Sequence, residues 1–444
     1  MLKYKGNLDK FSLFFMEQML DLHIDSRYSR ACSPQLTLAN INRACRTKGI
    51  DIIATGDFTY PAWFESIKKE LEETLPDSGL YKLKTANDDQ IKFILSTELS
   101  LIYKDGDKAR RIHLLIHAPS LEAVTELNRQ LDKKFNIRSD GRPILGISAP
   151  ELVKLVLKID PRFLIYPAHI WTPWFSVFGS KSRFNSLEEC FHDQVEHIYA
   201  IETGLSSDPE MNWRLSALDN LTVLSSSDAH SLNNIGREAS VMELEGPVTY
   251  DRIYQIIKKQ ERVSPGLGGS KKSGLKLTLE FYPEEGRYHL DGHRDCNFSC
   301  LPAASRKLKN VCPVCHKSLV IGVLNRVEEL ADRPVGYQPP KAVGFKKIVE
   351  LDKIIAEALN IKGRDSRVVQ KQYQQLISQF GNELFILLEL DLNNVGKDVG
   401  SRIIEGIKRV REGNLIVKPG FDGEYGQVNI FSGSSRPGRQ NNLL

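Results

Sequence analysis

From residue 19 to about residue 260 the chain alternates short apolar runs with amphipathic stretches, a pattern that few folds accept. The apolar runs at 50–55, 93–97, 113–117, 163–166, 198–202 and 221–225 have the length of buried strands. Between several of them, 36–48, 63–74, 121–135, 150–159, 211–218 and 250–259 carry apolar residues at helical spacing. Strands alternating with helices make parallel βα units, arranged either as a barrel or as an open sheet.

Beyond this region the pattern changes. A Gly, Ser and Lys-rich stretch at 265–273 marks a linker, and a strand-like segment at 275–282 leads into a cysteine cluster at 293–316. A second break, PVGYQPP at 334–340, precedes helical patterns at 347–359, 365–379 and 397–411, and the tail from residue 432 is polar. The expected layout is an N-terminal extension at 1–20, with Met16 or Met19 as alternative starts, then an α/β unit at 21–264 and a linker and strand at 265–280. A cysteine-bearing domain at 281–333, a mainly helical domain at 334–431 and a tail at 432–444 follow. With 444 residues, 41% of them hydrophobic, the chain has material for two to three cores. Sixty basic against 56 acidic residues leave a net charge of +4, which excludes a polycation that coats nucleic acid by bulk charge. Residues 11–16 form a short apolar run cut off by Glu17 and Gln18, a poor secretory signal, and no run approaches the roughly 20 residues that span a bilayer. The expectation is a soluble, cytoplasmic monomer without a membrane segment.

Histidines and carboxylates gather where the apolar runs end. His23 and Asp25 follow the first, Asp57 the second, and Glu98 closes FILSTE; His113 and His117 bracket HLLIH. His169 follows LIYP, Glu202 ends YAIE, and Asp228 with His230 closes VLSSSDAH. One such residue is ordinarily a helix cap or a satisfied core group. Seven such strand ends in one chain are hard to explain as caps. The C-terminal ends of barrel strands open onto one face, so these side chains converge there. Imidazole and carboxylate suit Zn²⁺, Mn²⁺ or Fe, and clustered ions activate water and clamp both oxygens of a phosphoryl transfer. His113 and His117 are four apart and cannot both sit at one strand mouth, and the pattern alone leaves the choice between them open.

Four of the seven cysteines, Cys296, Cys300, Cys312 and Cys315, fall within 20 residues, which indicates one metal site in a reducing compartment rather than a disulfide framework. Cys312 and Cys315 form a CPVC knuckle of the kind that binds structural zinc. The other half is open: Cys300 serves as the fourth ligand, or His293 does, with His316 as a third candidate. Four protein ligands leave no open position, so the role is structural.

The run at 170–184 places Trp171, Trp174, Phe175 and Phe178 beside Lys181 and Arg183, just after His169. Aromatic groups stack on or wedge between bases while cations neutralise phosphates, so an exposed DNA-contacting loop is expected here. Tyr425, in the turn GFDGEY, either stacks on a base or closes the fold. Gln440-x-x-Leu443 faintly resembles a sliding-clamp box without its aromatic pair.

The strand-end residues resemble the PHP family (polymerase and histidinol phosphatase), which has a trinuclear metal site in a distorted barrel. The first motif has Asp25 where a second His is usual, and the second has Asp57 where the family's His falls. Asp remains a competent ligand and shifts the site towards harder ions such as Mg²⁺ or Mn²⁺. Longer strings, PAHIWTPWFSVFGSKS (167–182), IETGLSSDPEMNWRLSALD (201–219), IGVLNRVEELADRP (321–334) and PGFDGEYG (419–426), resemble the endonuclease Q family over 21–431. That resemblance implies a PHP-type distorted (βα)7 barrel, a zinc-ribbon-like domain and a C-terminal mainly helical domain that grips the lesion. It implies a metal-dependent hydrolase that nicks DNA 5′ to deaminated bases (uracil, hypoxanthine, xanthine) and abasic sites, with damaged DNA as partner and a nucleoid-associated location. Two to three divalent ions, Zn, Mn or Mg, would be held by His23, Asp25, Asp57, Glu98, His113, His169, Asp228 and His230, and one structural Zn by the cysteine cluster. Glu98 would bridge two ions, Asp228 would serve catalysis, and Glu202 and Asp208 would support ligands or position substrate. A phosphoesterase for a small phosphorylated metabolite and a non-catalytic DNA-binding scaffold are the alternatives.

Overall fold

The first strand of the main sheet begins earlier than the sequence pattern suggests. In this computed structural model, which describes residues 15–86, 90–263, 273–396 and 399–431, Phe15–Asp21 runs antiparallel to Ala239–Glu245 and parallel to Ile52–Ala54. Residues 15–20, expected in an N-terminal extension, are therefore a central strand. Glu17 and Gln18 do not end it, because Glu17 lies opposite Glu243 and the Lys276 ammonium pairs with both carboxylates. Most of the expected linker (264–272), the clamp-like motif and the tail lie outside the described residues.

The fold is mixed α/β. Eight strands form one sheet in the order Gly344–Lys347, Gly274–Glu280, Ala239–Glu245, Phe15–Asp21, Ile52–Ala54, Lys92–Ile94, Leu80–Leu83 and Leu71–Glu73. A second sheet has the order Ile144–Leu145, Ser96–Asp105, Lys108–His117 and Leu164–Pro167, and Ala200–Glu202 pairs in parallel with Thr222–Leu224. Among the described residues these sheets do not close into one continuous ladder. Scattered hydrogen bonds join them, among them Ala118 N to Leu95 O (3.0 Å), Ile170 N to Glu202 O (3.0 Å) and Ser225 Oγ to Leu279 O (2.8 Å).

The break from strict βα alternation has a local cause. Ser96–Asp105 and Lys108–His117 form a ten-pair antiparallel hairpin through a tight turn in which Gly106 takes φ 58°, a conformation glycine adopts freely. Glu98, opposite Leu115, and His113, opposite Ser100, are thus diagonal neighbours near one end of a hairpin and not residues at the mouths of two parallel strands. Two of the helical patterns depart most from the observed elements. The stretch at 63–74 becomes Pro61–Glu70 followed by the strand Leu71–Glu73, and 211–218 holds only the short turns Pro209–Asn212 and Ser216–Leu218.

The C-terminal helices Leu351–Ala358, Arg367–Phe380, Glu383–Leu388 and Ser401–Arg411 enclose a second apolar core that includes Leu351, Ile354, Leu376, Ile403, Ile407 and Ile430. Gly406 lets two of them cross closely, since a Cβ there would lie 2.7 Å from Ile354 Cγ2. The strand Gly344–Lys347 pairs in parallel with Gly274–Glu280, so hydrogen bonds run from the main sheet into this region. No helix among the described residues is long and apolar enough to cross a membrane.

Candidate metal centre

The strand ends do converge. Glu98 Oε1 lies 2.7 Å from His113 Nδ1, 3.1 Å from His169 Nε2 and 3.7 Å from His23 Nε2, and His23 Nε2 is 3.5 Å from Asp228 Oδ1. His230 Nε2 stands 3.4 Å from Asp25 Oδ2. Ligand atoms of Glu98, His113 and His169 all fall within 4.8 Å of one another, and so do those of Asp25, Cys32 and His230. Asp57 is buried next to Asp25 but partly committed, because its Oδ2 accepts from Ser26 N (2.7 Å) and Ser29 Oγ (2.9 Å). Asp57, His169 and Asp228 all take left-handed φ angles (47°, 28° and 46°), backbone strain of the kind that gathers at functional sites.

Each of three imidazoles spends one nitrogen on a supporting partner and turns the other into the site. His23 Nδ1 lies 3.0 Å from Glu202 Oε2, His169 Nδ1 lies 2.9 Å from Thr172 Oγ1, and His230 Nδ1 lies 2.8 Å from the Asp228 carbonyl. Metal-binding histidines are oriented in this way. Glu202, expected either to support ligands or to position substrate, is in contact with His23 Nδ1. Buried atoms without hydrogen-bond partners line the same space: His23 Nε2, both Asp25 oxygens, Asp57 Oδ1 and Asp228 Oδ1. Buried polar atoms are rarely left so, and a divalent ion would satisfy them. The donor set of nitrogens and carboxylate oxygens fits such ions.

Electrostatics divide the carboxylates. Burial drives the Asp57 carboxyl up to about 7, with Asp25 adding to the rise, and burial raises Asp25 too. Burial also opposes ionisation of Glu98, yet His113, Arg142 and His23 hold it well below the usual range. Asp228 shows the same balance: against burial, His23 and His230 hold it at about 2. Arg142 is a site residue that the strand-end pattern misses, because it lies in the loop before Ile144–Leu145. Its guanidinium donates to Glu98 Oε2 (2.8 Å) and lies 3.6 Å from Asp25. His117 belongs to the core, with Nε2 3.0 Å from the Tyr166 hydroxyl.

Three expectations need correction. Asp208 is committed elsewhere: Oδ1 accepts from Met211 N (2.9 Å) and Oδ2 pairs with Lys347 (2.8 Å) of the C-terminal region. Trp171 is fully buried, donates to Asn212 Oδ1 (2.8 Å) and packs on buried Phe178, so neither ring reaches a solvent-borne base. Their apolar contacts, not their loop-like sequence, decide their place. Trp174 is 47% exposed with the Lys181 ammonium 5.2 Å over its ring, Arg183 is also exposed, and half-buried Phe175 lies 4.7 Å from the His113 ring. Tyr425 is 72% exposed beneath the Arg287 guanidinium. The third correction concerns the cysteine cluster. Ligand atoms of His293, Cys296, Cys312 and Cys315 lie within 4.8 Å of one another, and Cys300 is not among them. The hairpin Asp291–His293 with Phe298–Cys300 sets Cys300 opposite Asp291 and brings His293 Nδ1 3.7 Å from Cys315 Sγ, while His316 is exposed. Three thiols and one imidazole suit tetrahedral zinc.

Fold and site define a mixed α/β protein with clustered metal-capable side chains at its strand ends. Among solved structures, the chain is similar to the lesion-specific endonuclease PfuEndoQ of Pyrococcus furiosus, with 29% identity, TM-score 0.80, and coverage of 94% of this chain and 96% of that one. It is equally similar to endonuclease Q in complex with a 27-mer duplex bearing an abasic lesion at the active site, at 29% identity and TM-score 0.79, covering 96% of this chain and all of that one. It is an endonuclease Q-like protein. The MJ0043 C-terminal domain family matches residues 350–414. The uncharacterized protein MJ0043 of Methanocaldococcus jannaschii is 29% identical over 59% of this chain, and the alignment spans 31% of that longer protein. The uncharacterized protein YqxK of Bacillus subtilis is 27% identical over 87% of this chain and 90% of its own length.

Proposed function

We propose that this protein is a metal-dependent DNA repair endonuclease that cuts the phosphodiester 5′ to deaminated bases and abasic sites. The observation that carries the reading is the likeness over 96% of the chain to endonuclease Q bound to abasic-lesion duplex. The sheets would then make up a PHP-type distorted barrel. His23, Asp25, Asp57, Glu98, His113, His169, Asp228 and His230 would hold two to three divalent ions, and His293, Cys296, Cys312 and Cys315 one structural zinc. Bound ions supply an activated water and charge neutralisation at the reacting phosphate.

The chain's own residues set the geometry. Glu202, Thr172 and the Asp228 carbonyl fix which ring nitrogen of His23, His169 and His230 faces the site. Arg142 holds Glu98 in place through Oε2, leaving Oε1 to the three histidines. Trp174, Lys181 and Arg183, exposed on the segment after His169, would stack on bases and neutralise phosphates. The damaged nucleotide is extruded towards this rim, a step least costly for a mismatched or missing base.

The test is a labelled duplex with one dU or one abasic site beside an undamaged control, incubated with Mn²⁺ or Mg²⁺ and the wild type or Asp228→Ala. Damage-specific nicking lost in the variant supports the reading. Binding without cutting in any metal indicates a scaffold, and hydrolysis of phosphomonoesters alone indicates a small-molecule phosphoesterase.

A further inference from the structure

Cys32 lies outside every strand-end motif, yet its Sγ, a carboxylate oxygen of Asp25 and a ring nitrogen of His230 fall within 4.8 Å of one another. The turn after Asp25 brings it there. Ser29 N donates to Ser26 O and Cys32 N to Ser29 O, each at 3.2 Å, and Ala31 takes the left-handed φ of 66° that an alanine rarely adopts. An independent feature points to a ligand at this spot. Asp25 is fully buried and neither of its oxygens has a hydrogen-bond partner. His230 has its Nδ1 held by the Asp228 carbonyl, so its Nε2 is the nitrogen left for Asp25, 3.4 Å away.

We propose that Cys32 is a thiolate ligand of an ion shared with Asp25 and His230. It makes this half of the centre a mixed sulfur, nitrogen and oxygen site for Zn²⁺. The inference rests on the reading of the strand ends as a metal centre. When the metal–sulfur bond forms, the thiol proton passes to solvent. Thiolate favours Zn²⁺ over Mg²⁺ and Mn²⁺, whereas the Glu98, His113 and His169 group has no sulfur and suits either kind of ion. The two halves therefore differ in metal preference, and the carboxylate count alone misjudges the centre as uniformly hard.

The experiment uses the full-length protein, stripped with a chelator and then reloaded with Zn²⁺ alone. Zinc per chain is counted by mass spectrometry, and each cysteine is mapped for iodoacetamide alkylation with and without metal. Cys296, Cys312 and Cys315 report the ribbon, and the fully buried Cys45 and Cys190 serve as unlabelled references. The expected result is more than one zinc per chain, with Cys32 alkylated in the stripped protein and protected at least about tenfold after reloading. In Cys32→Ser, zinc affinity beyond the ribbon site falls by at least roughly tenfold while Mn²⁺ affinity is little changed. More than one zinc with Cys32 alkylated equally in both states overturns the thiolate and leaves the metal centre standing. A single zinc confined to the ribbon overturns both.

Discussion

Two clusters of buried ionisable side chains in this chain are built on opposite plans. Around Glu383, where the C-terminal helices meet the helix Leu38–Lys48, both carboxylate oxygens are engaged. Oε1 accepts from Leu351 N (3.0 Å), while Oε2 accepts from the Tyr373 hydroxyl (2.6 Å) and pairs with Lys48 (2.7 Å). Around Glu98 and Asp25, five buried polar atoms on four residues lack hydrogen-bond partners. Glu383 needs no ligand, whereas unpartnered oxygens and nitrogens gathered in one space have the chemistry to take one. Junction and centre are both costly to desolvate, but at Glu383 both carboxylate oxygens are engaged by the chain's own donors.

Single substitutions should have opposite signs at the two places. Glu383→Ala strands the Lys48 ammonium and should cost about 3–5 kcal/mol in denaturant melts. Asp25→Asn should leave the metal-free protein unchanged or more stable by roughly 1 kcal/mol, since it removes a buried charge near Glu98 and Asp228. The same change should lower nicking by more than about a hundredfold. Equal destabilisation by both variants would erase the distinction.

The aromatic segment offers a second contrast on a smaller scale. Trp171→Ala should cost about 3–5 kcal/mol of stability, as a large buried ring is lost. Trp174→Ala should change stability by less than about 0.5 kcal/mol and weaken DNA binding by about 1 kcal/mol in a fluorescence titration. If Trp174→Ala binds damaged duplex as the wild type does, the exposed ring is not a stacking platform.

Glu280 gives the smallest effect, on pH dependence. Burial raises its carboxyl to about 8, so the folded state holds a proton that the unfolded chain releases near the ordinary glutamate range. Its contribution to stability is present in full below that range and is lost as pH rises through about 8. Glu280→Gln keeps the neutral form at all pH values. It should therefore be more stable than wild type by at least about 1 kcal/mol at pH 9 and indistinguishable from it near pH 4. Parallel pH curves for the two proteins would contradict this.

What the sequence revealed follows from how local each signal is. Strands followed by His or carboxylate were legible because burial and chemistry coincide within a few residues, as at His23, His169 and Asp228. The hairpin Ser96–Asp105 with Lys108–His117 was not, since its charged outer half hides the strands behind KDGDKARR. Arg142 and Cys32 sit in loops and reach the site only through tertiary contacts with Glu98 and Asp25. The choice of His293 over Cys300 likewise depends on hairpin register, which spacing alone cannot encode. Trp171 looked like its neighbour Trp174 because exposure is a property of the packed fold.

The central claim is that the unpartnered atoms at the strand ends form a metal centre. Anomalous diffraction at the manganese edge, from crystals grown with Mn²⁺, tests it most directly. At least two peaks among Glu98, His113, His169, His23, Asp25, Asp228 and His230 are the predicted result. Manganese peaks absent from this space, with water bonded to His23 Nε2 and the Asp25 oxygens, would contradict it.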